Sequence, residues 1–214
     1  MSMRSEMAGT EMPYQTWVNR FDIREGDTLL VVSEVLAIAA QCAARGGMFE
    51  PGLFLESIEK KLGKSGTLLL PAFHFGFCDG QRYDILKTLP VTGALPRCAL
   101  KRAGYSRTRH PMHSFVVWGA RRQELCQLRN VSSFGGDSPL GFLHQNAGKM
   151  WIMGRSYRNS FTFVHYVEER EKAPYRYLKS FTAPYTDESG MTQTRTYKMF
   201  VRRLEQGEGD DRTE

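Results

Sequence analysis

Thr28-Leu29-Leu30-Val31-Val32 is an unbroken apolar run, partly β-branched, set between the turn Glu25-Gly26-Asp27 and the polar pair Ser33-Glu34. With no polar residue at alternate positions, it fits a strand covered on both faces, and so a sheet lying between helices. Ser33 at its tip is placed to present a hydroxyl to a ligand. Short apolar runs recur at Thr67 to Leu70, Phe115 to Trp118 and Lys149 to Met153. Helix-like segments separate them, so all four strands belong in one sheet. Pro51 to Leu62 is the clearest of those helices. Pro51 suits a first turn, and Leu55, Ile58 and Leu62 recur at helical spacing and should be buried together. Lys60, Lys61 and Lys64 collect at the end that favours positive charge. Shorter helices are expected through Ala40 to Ala44, from Thr92-Gly93-Ala94-Leu95-Pro96 to Lys101-Arg102, from Phe142 to Asn146 and from Ser160 to Glu171, with a charged helix or turn around Arg121 to Leu128. From Tyr175 the pattern changes to alternation, in Tyr177 to Thr182 and Thr194 to Val201, with Asp187-Glu188-Ser189-Gly190 between, which predicts a β-hairpin. The expected fold is α/β: a layered sandwich with a central mixed sheet flanked by helices, plus a C-terminal β-hairpin. One domain over residues 14–204 is expected, with flexible tails at 1–13 and 205–214.

Composition narrows the functional classes. The chain of 214 residues carries a net charge of +6 and a sequence pI near 9.2, which favours anionic partners. No apolar run reaches the length of a membrane span, and Met1 to Pro13 has no apolar core of a secretory signal. The cysteines Cys42, Cys78, Cys98 and Cys126 are scattered, with no paired spacing; they read as reduced thiols of a cytoplasmic protein and not as a metal site. Nucleic-acid binding would need clustered basic residues or a known motif, and neither is present. A cysteine nucleophile at Cys78 or Cys98 would lack a neighbouring motif histidine.

Arg109-His110-Pro111-Met112-His113-Ser114 runs straight into the strand at 115–118. Imidazole exchanges a proton near neutrality, so His110 or His113 fits a general base. Both also fit polar residues that cap backbone groups at a strand entrance. Val131 to Gly141 is rich in glycine and serine and opens a helix, where backbone N–H groups bind phosphate or an amide-bearing ligand; a plain loop fits equally. Farther on, Thr162, His165 and Glu169 share one helical face, with Glu168 within one turn of His165. A carboxylate so placed fixes a histidine tautomer and raises its basicity, or forms an ordinary surface pair.

Six landmarks occur in order: Gly26 to Ser33, Gly66 to Phe73, Thr92 to Pro96, His110 to Ser114, Phe134 to Gly141 and Thr162 to Glu168. In that order they resemble the aminoglycoside 3-N-acetyltransferase family. The resemblance implies an acetyl-CoA-dependent N-acetyltransferase acting on the amine of an amino sugar, either an aminoglycoside or a nucleotide- or polysaccharide-linked sugar. It implies His113 by preference, or His110, as general base, with His165 and Glu168 or Glu169 orienting the base or the acceptor. Ser114 or a backbone N–H near Ser33 would stabilise the oxyanion. Ser33, Ser114, Phe134, Gly135 and Ser138 would hold the coenzyme, with no metal. The chain departs from the family pattern at Val32, where a histidine is usual. It departs again at Gly154-Arg155-Ser156-Tyr157-Arg158-Asn159, and in its last forty residues. These departures motivate the alternative of a non-catalytic CoA- or sugar-binding homologue. The excess of basic residues, 29 Lys and Arg against 23 Asp and Glu, leans towards an anionic acceptor.

Overall fold

The computed structural model describes residues 17–154 and 156–203. The four apolar runs become β1 (Thr28–Ser33), β2 (Thr67–Pro71), β5 (Phe115–Gly119) and β6 (Lys149–Met153), and they lie in one sheet as expected. A short strand, β4 (Tyr105–Arg107), completes it, in the order β4-β5-β2-β1-β6. β1 runs parallel to β2 and to β6, whereas β5 is antiparallel to both β2 and β4, so the sheet is mixed.

Alternate side chains of these strands enter two separate cores. Leu29, Val31, Leu68, Leu70, Val116 and Trp151 face one side. There they meet α1 (Leu36–Ala43), α2 (Pro51–Leu62) and α3 (Ala94–Ala99). Leu30, Leu69, Phe115 and Val117 face the other. That side is covered by α4 (Arg122–Gln127), α5 (Pro139–Gln145) and α6 (Phe163–Arg170). Both faces are covered, which is why the strands show no polar alternation. Leu55, Ile58 and Leu62 of α2 are all fully buried, and the helix closes at Gly63, whose φ of 64° suits glycine.

The hairpin is β7 (Arg176–Thr186) and β8 (Thr192–Arg202), in register from Arg176↔Arg202 to Thr186↔Thr192. β3 (Tyr83–Asp84) pairs with β7 at Tyr185 and Thr186, making a second sheet in the order β3-β7-β8. Tyr83, Met112, Ala183 and Tyr185 form a third core under it. The hairpin thus packs on the loop that carries the histidine pair.

Two helices differ from expectation in their starts. α5 begins at Pro139 and not at Phe142, because Ser138 caps it: its Oγ accepts from the Gly141 N–H at 3.2 Å, and Pro139 occupies the first turn. α6 begins at Phe163, after a separate 3-10 turn at Tyr157–Asn159, and not at Ser160. Arg155 lies outside the described residues, as do the expected tails. Among the described residues no helix is long and apolar enough to cross a membrane.

Candidate active site

β1 and β2 are parallel neighbours, so their carboxyl ends open on the same side, where α/β sheets usually bind ligands. A cleft of about 340 Å³ lies there, lined by Ser33, Phe73, Phe75, Thr92, Ser160 and Thr162 among others. Val32 and Glu34 also line it. The Ser160 Oγ is buried and has no hydrogen-bond partner among the described residues. A buried hydroxyl without a partner costs free energy that a ligand's polar group recovers.

Thr162 stands at the start of α6, and one turn on along the same helix comes His165. The His165 Nδ1 is 2.7 Å from the Glu168 Oε2. An ionised carboxylate only accepts, so Nδ1 carries the proton and Nε2 keeps its lone pair. Glu168 is itself held from the hairpin. The Tyr175 hydroxyl donates to Oε1 at 2.7 Å, and the Arg176 Nε lies 3.0 Å from Oε2. The Arg176 Nη1 donates to the Phe200 carbonyl at 3.1 Å, which ties the clamp to β8. Burial alone would raise the Glu168 pKa. The hydrogen bonds from His165 and Tyr175 and the Arg176 charge outweigh it and hold the carboxyl below its usual value.

His113 is in a different situation. It is buried, with its ring centroid 4.6 Å from that of Phe73, 5.4 Å from Phe75 and 4.6 Å from Phe134. Its Nδ1 is 3.0 Å from the Ser133 Oγ. The His113 N–H donates to the His110 Nδ1 at 3.2 Å, so the His110 proton sits on Nε2, 3.4 Å from the same Ser133 Oγ. Burial pushes His110 down to about 3, partly offset by the carbonyls of Val131 and Lys198. Burial, then the charges of His110 and His165, carries His113 well below the ordinary histidine value. Both are neutral near pH 7 and occupied in a network that joins the β5 entrance to β8, where the Ser133 N–H donates to the Lys198 carbonyl at 2.9 Å.

Several expected site residues lie elsewhere. Ser114 is fully buried; its Oγ donates to the Ala72 carbonyl at 2.7 Å and accepts from the Arg107 Nε at 2.9 Å, so it cannot serve an oxyanion. Ser138 is the buried cap of α5. The Glu34 N–H beside Ser33 donates to the Met153 carbonyl at 2.9 Å and is not free for an oxyanion either. The Gly135 carbonyl accepts from the Ser138 N–H at 2.9 Å, which tightens the loop. Phe134 contributes a buried ring between the two histidines. Glu169 turns away from His165 and accepts from the Ser132 Oγ at 2.8 Å; burial raises its pKa. Of the expected coenzyme contacts, only Ser33 lines the cleft. Sequence reading passed over Tyr175, Arg176, Ser133 and Ser160. Ser160, beside the Thr162 to Glu168 landmark, and Ser133, inside the Val131 to Gly141 stretch, stand near a sequence signal.

The sequence profile of the aminoglycoside 3-N-acetyltransferase family matches residues 48–210. The chain belongs to this family. A curated relative, aminoglycoside N(3)-acetyltransferase VIII of Streptomyces fradiae, is 25% identical over 184 residues, which cover 75% of the chain and 61% of the relative. The chain therefore spans less than two thirds of that protein's length. Among solved structures, the AAC-IIIb binary complex with CoASH superposes with a TM-score of 0.73 at 21% identity, over 88% of the chain and 74% of that structure. YokD of Bacillus subtilis gives 0.74 at 19% identity, over 89% and 81%. At these identities the likeness shows the sandwich fold and no more.

Proposed function

We propose that the chain transfers an acetyl group from acetyl-CoA to an amine of an aminoglycoside, with His165 as the general base. The observation that carries the proposal is the His165–Glu168 pair, 2.7 Å apart and one helical turn beyond the cleft wall at Thr162. Family membership supports the reaction class. The cleft suits a coenzyme arm: aromatic walls at Phe73 and Phe75, with hydroxyls at Ser33, Thr92 and Ser160 to meet amide groups. Acetyl-CoA would supply the acyl group as an activated thioester.

The chain's own residues then have separate tasks. Ser33 and Ser160 orient the ligand. The His165 Nε2 accepts the proton that the attacking amine gives up, and Glu168 stabilises the imidazolium through the Nδ1–H. His113 serves as packing for Phe134 and Phe73, a reassignment from the base role expected of it in sequence, because burial with no carboxylate beside it among the described residues disfavours the imidazolium that a base becomes.

Charge near the cleft ranks the acceptors. The net charge of +6 belongs to the whole surface, whereas the charged residue that lines the cleft, among the described residues, is Glu34. A carboxylate in the cleft wall favours a polycation over a nucleotide-linked sugar. The test is thiol release from acetyl-CoA with aminoglycosides, free amino sugars and nucleotide-linked amino sugars, together with calorimetric titration of CoA. Turnover highest with aminoglycosides supports the reading. Absence of both CoA binding and turnover overturns it, and CoA binding without turnover on any amine returns the chain to the non-catalytic alternative.

A further inference from the structure

A second cavity, of about 440 Å³, lies at the opposite edge of the main sheet. Its wall includes Leu100 and Tyr105, which pack with the core of one sheet face, and Cys126, which packs with the core of the other. A groove bounded by both layers runs along the edge of the sheet, here β4.

β4 pairs only with β5, with Tyr105↔Trp118, Ser106↔Val117 and Arg107↔Val116 in register. The next residue, Thr108, donates its N–H to the Phe115 carbonyl at 2.9 Å. Bonded and non-bonded pairs alternate in an antiparallel ladder, so Ser106 is the residue that exchanges bonds with β5. The N–H and C=O groups of Tyr105 and Arg107 therefore point outwards. Among the described residues they have no hydrogen-bond partner outside the strand. An open edge of this kind is a template for an added strand.

Charge defines what such a strand would carry. Arg107, Arg109 and Arg122 border the groove against one carboxylate, Glu188, which lies 2.8 Å from the Arg109 Nε. The Arg107 guanidinium is turned inwards to Ser114 and Ala72, while Arg122 lines the groove with no ion-pair partner among the described residues, Glu124 being paired with Arg121. Leu100 and the exposed Leu86 give apolar contact. Successive side chains of an added strand would alternate between the α3 side, with Leu100, and the α4 side, with Arg122.

We infer that this groove binds an extended acidic peptide, with acidic and apolar residues alternating, as an added strand on β4. This interaction is independent of the acyl-transfer cleft. The probe is a fluorescein-labelled, acetylated Glu-Val-Glu-Val-Glu-Val-Glu peptide, compared with the same peptide carrying lysine for glutamate and with inorganic phosphate. Anisotropy should show saturable binding of the glutamate peptide alone, weakened at 300 mM relative to 50 mM NaCl. Arg122→Glu and, separately, Leu86→Glu should each weaken it by about tenfold or more without lowering Tm, since Leu86 is exposed and the part-exposed Arg122 stands in the first turn of α4, where an acidic residue is favourable. Amide hydrogen exchange should slow at Tyr105 and Arg107. Equal binding of the lysine peptide, unchanged binding by both variants, or binding without protection at Tyr105 and Arg107 overturns the inference. Phosphate competing fully at millimolar concentration would make the groove a small-anion site and overturns it likewise.

Discussion

The Phe134 ring lies 5.2 Å from that of His165, and its other side meets His113 at 4.6 Å. One phenyl group thus separates a part-exposed imidazole, backed by a carboxylate, from a buried one that is hydrogen-bonded to serine. The two histidines therefore answer mutation differently. His165→Ala should lower kcat by ~10²–10⁴-fold with little change in the KM for acetyl-CoA, because the lost proton transfer belongs to the transition state. His113→Ala should instead lower Tm, with kcat of the folded protein falling far less. Steady-state kinetics beside thermal unfolding separates the two, and the reverse pattern would return the base role to His113.

The Arg176 clamp makes a prediction about pH. Glu168, Arg176 and Tyr175 form the charged and hydrogen-bonding surround of His165 on one side, with Phe134 and then His113 on the other. Arg176 offsets part of the Glu168 charge. In Arg176→Met the Glu168 carboxyl loses a charge that holds its pKa down, so it takes up a proton at higher pH and stops accepting from the His165 Nδ1 there. The acid limb of kcat/KM should then move to higher pH. Glu168→Gln should lower kcat at every pH. Equal and parallel losses across the whole pH range in both variants would mean that the clamp is purely structural.

How much of this was legible follows from distance along the chain. Four of the five strands of the sheet could be read because each announces itself in five or six consecutive residues, as Thr28–Ser33 does, whereas β4 has only three. The His165–Glu168 contact is three residues apart on a helix and so lay within reach of periodicity. Arg176 could not be read, because its relation to Glu168 depends on the hairpin folding back beside α6. Ser133 was hidden for the same reason: its meaning comes from His110 and His113, twenty-odd residues earlier, and from Lys198 on β8. The serines of the landmarks misled, since Ser114 and Ser138 satisfy buried backbone and arginine groups and never reach the cleft.

Ile58 tests the first core. It is fully buried between Leu55 and Leu62 on α2, facing β1 and β2. Ile58→Ala should cost ~2–5 kcal/mol in denaturant unfolding. The cleft lies at the strand ends, away from that packing, so the specific activity of the folded fraction should hold. A loss near zero would place this face in solvent.

The buried histidine pair sets the acid stability of the protein. In the unfolded chain each imidazole titrates near 6.5, whereas in the fold His110 is pushed down to about 3 and His113 well below its ordinary value, both chiefly by burial. Between those limits the unfolded chain binds more protons than the folded one, so stability rises with pH there. Their full contribution is present above about pH 6.5 and is lost progressively as pH falls towards 3. Each neutral imidazole should cost about 1.4 kcal/mol per pH unit below 6.5, or about 2 kcal/mol by pH 5. Glu169 acts in the opposite sense: its raised pKa means that the fold takes up that proton first, which favours the folded state at low pH. Glu168, held low, loses its contribution only below the ordinary carboxylate range and stays out of this window. Urea titrations at pH 7.5, 6 and 5 should therefore show a fall in unfolding free energy between pH 6.5 and 5. Replacing His110 with glutamine, which keeps polar groups but does not titrate, should remove about half of that fall. A flat profile from pH 7.5 to 5 would show that the pair is protonated in the fold, and the neutral Ser133 network described above would be wrong.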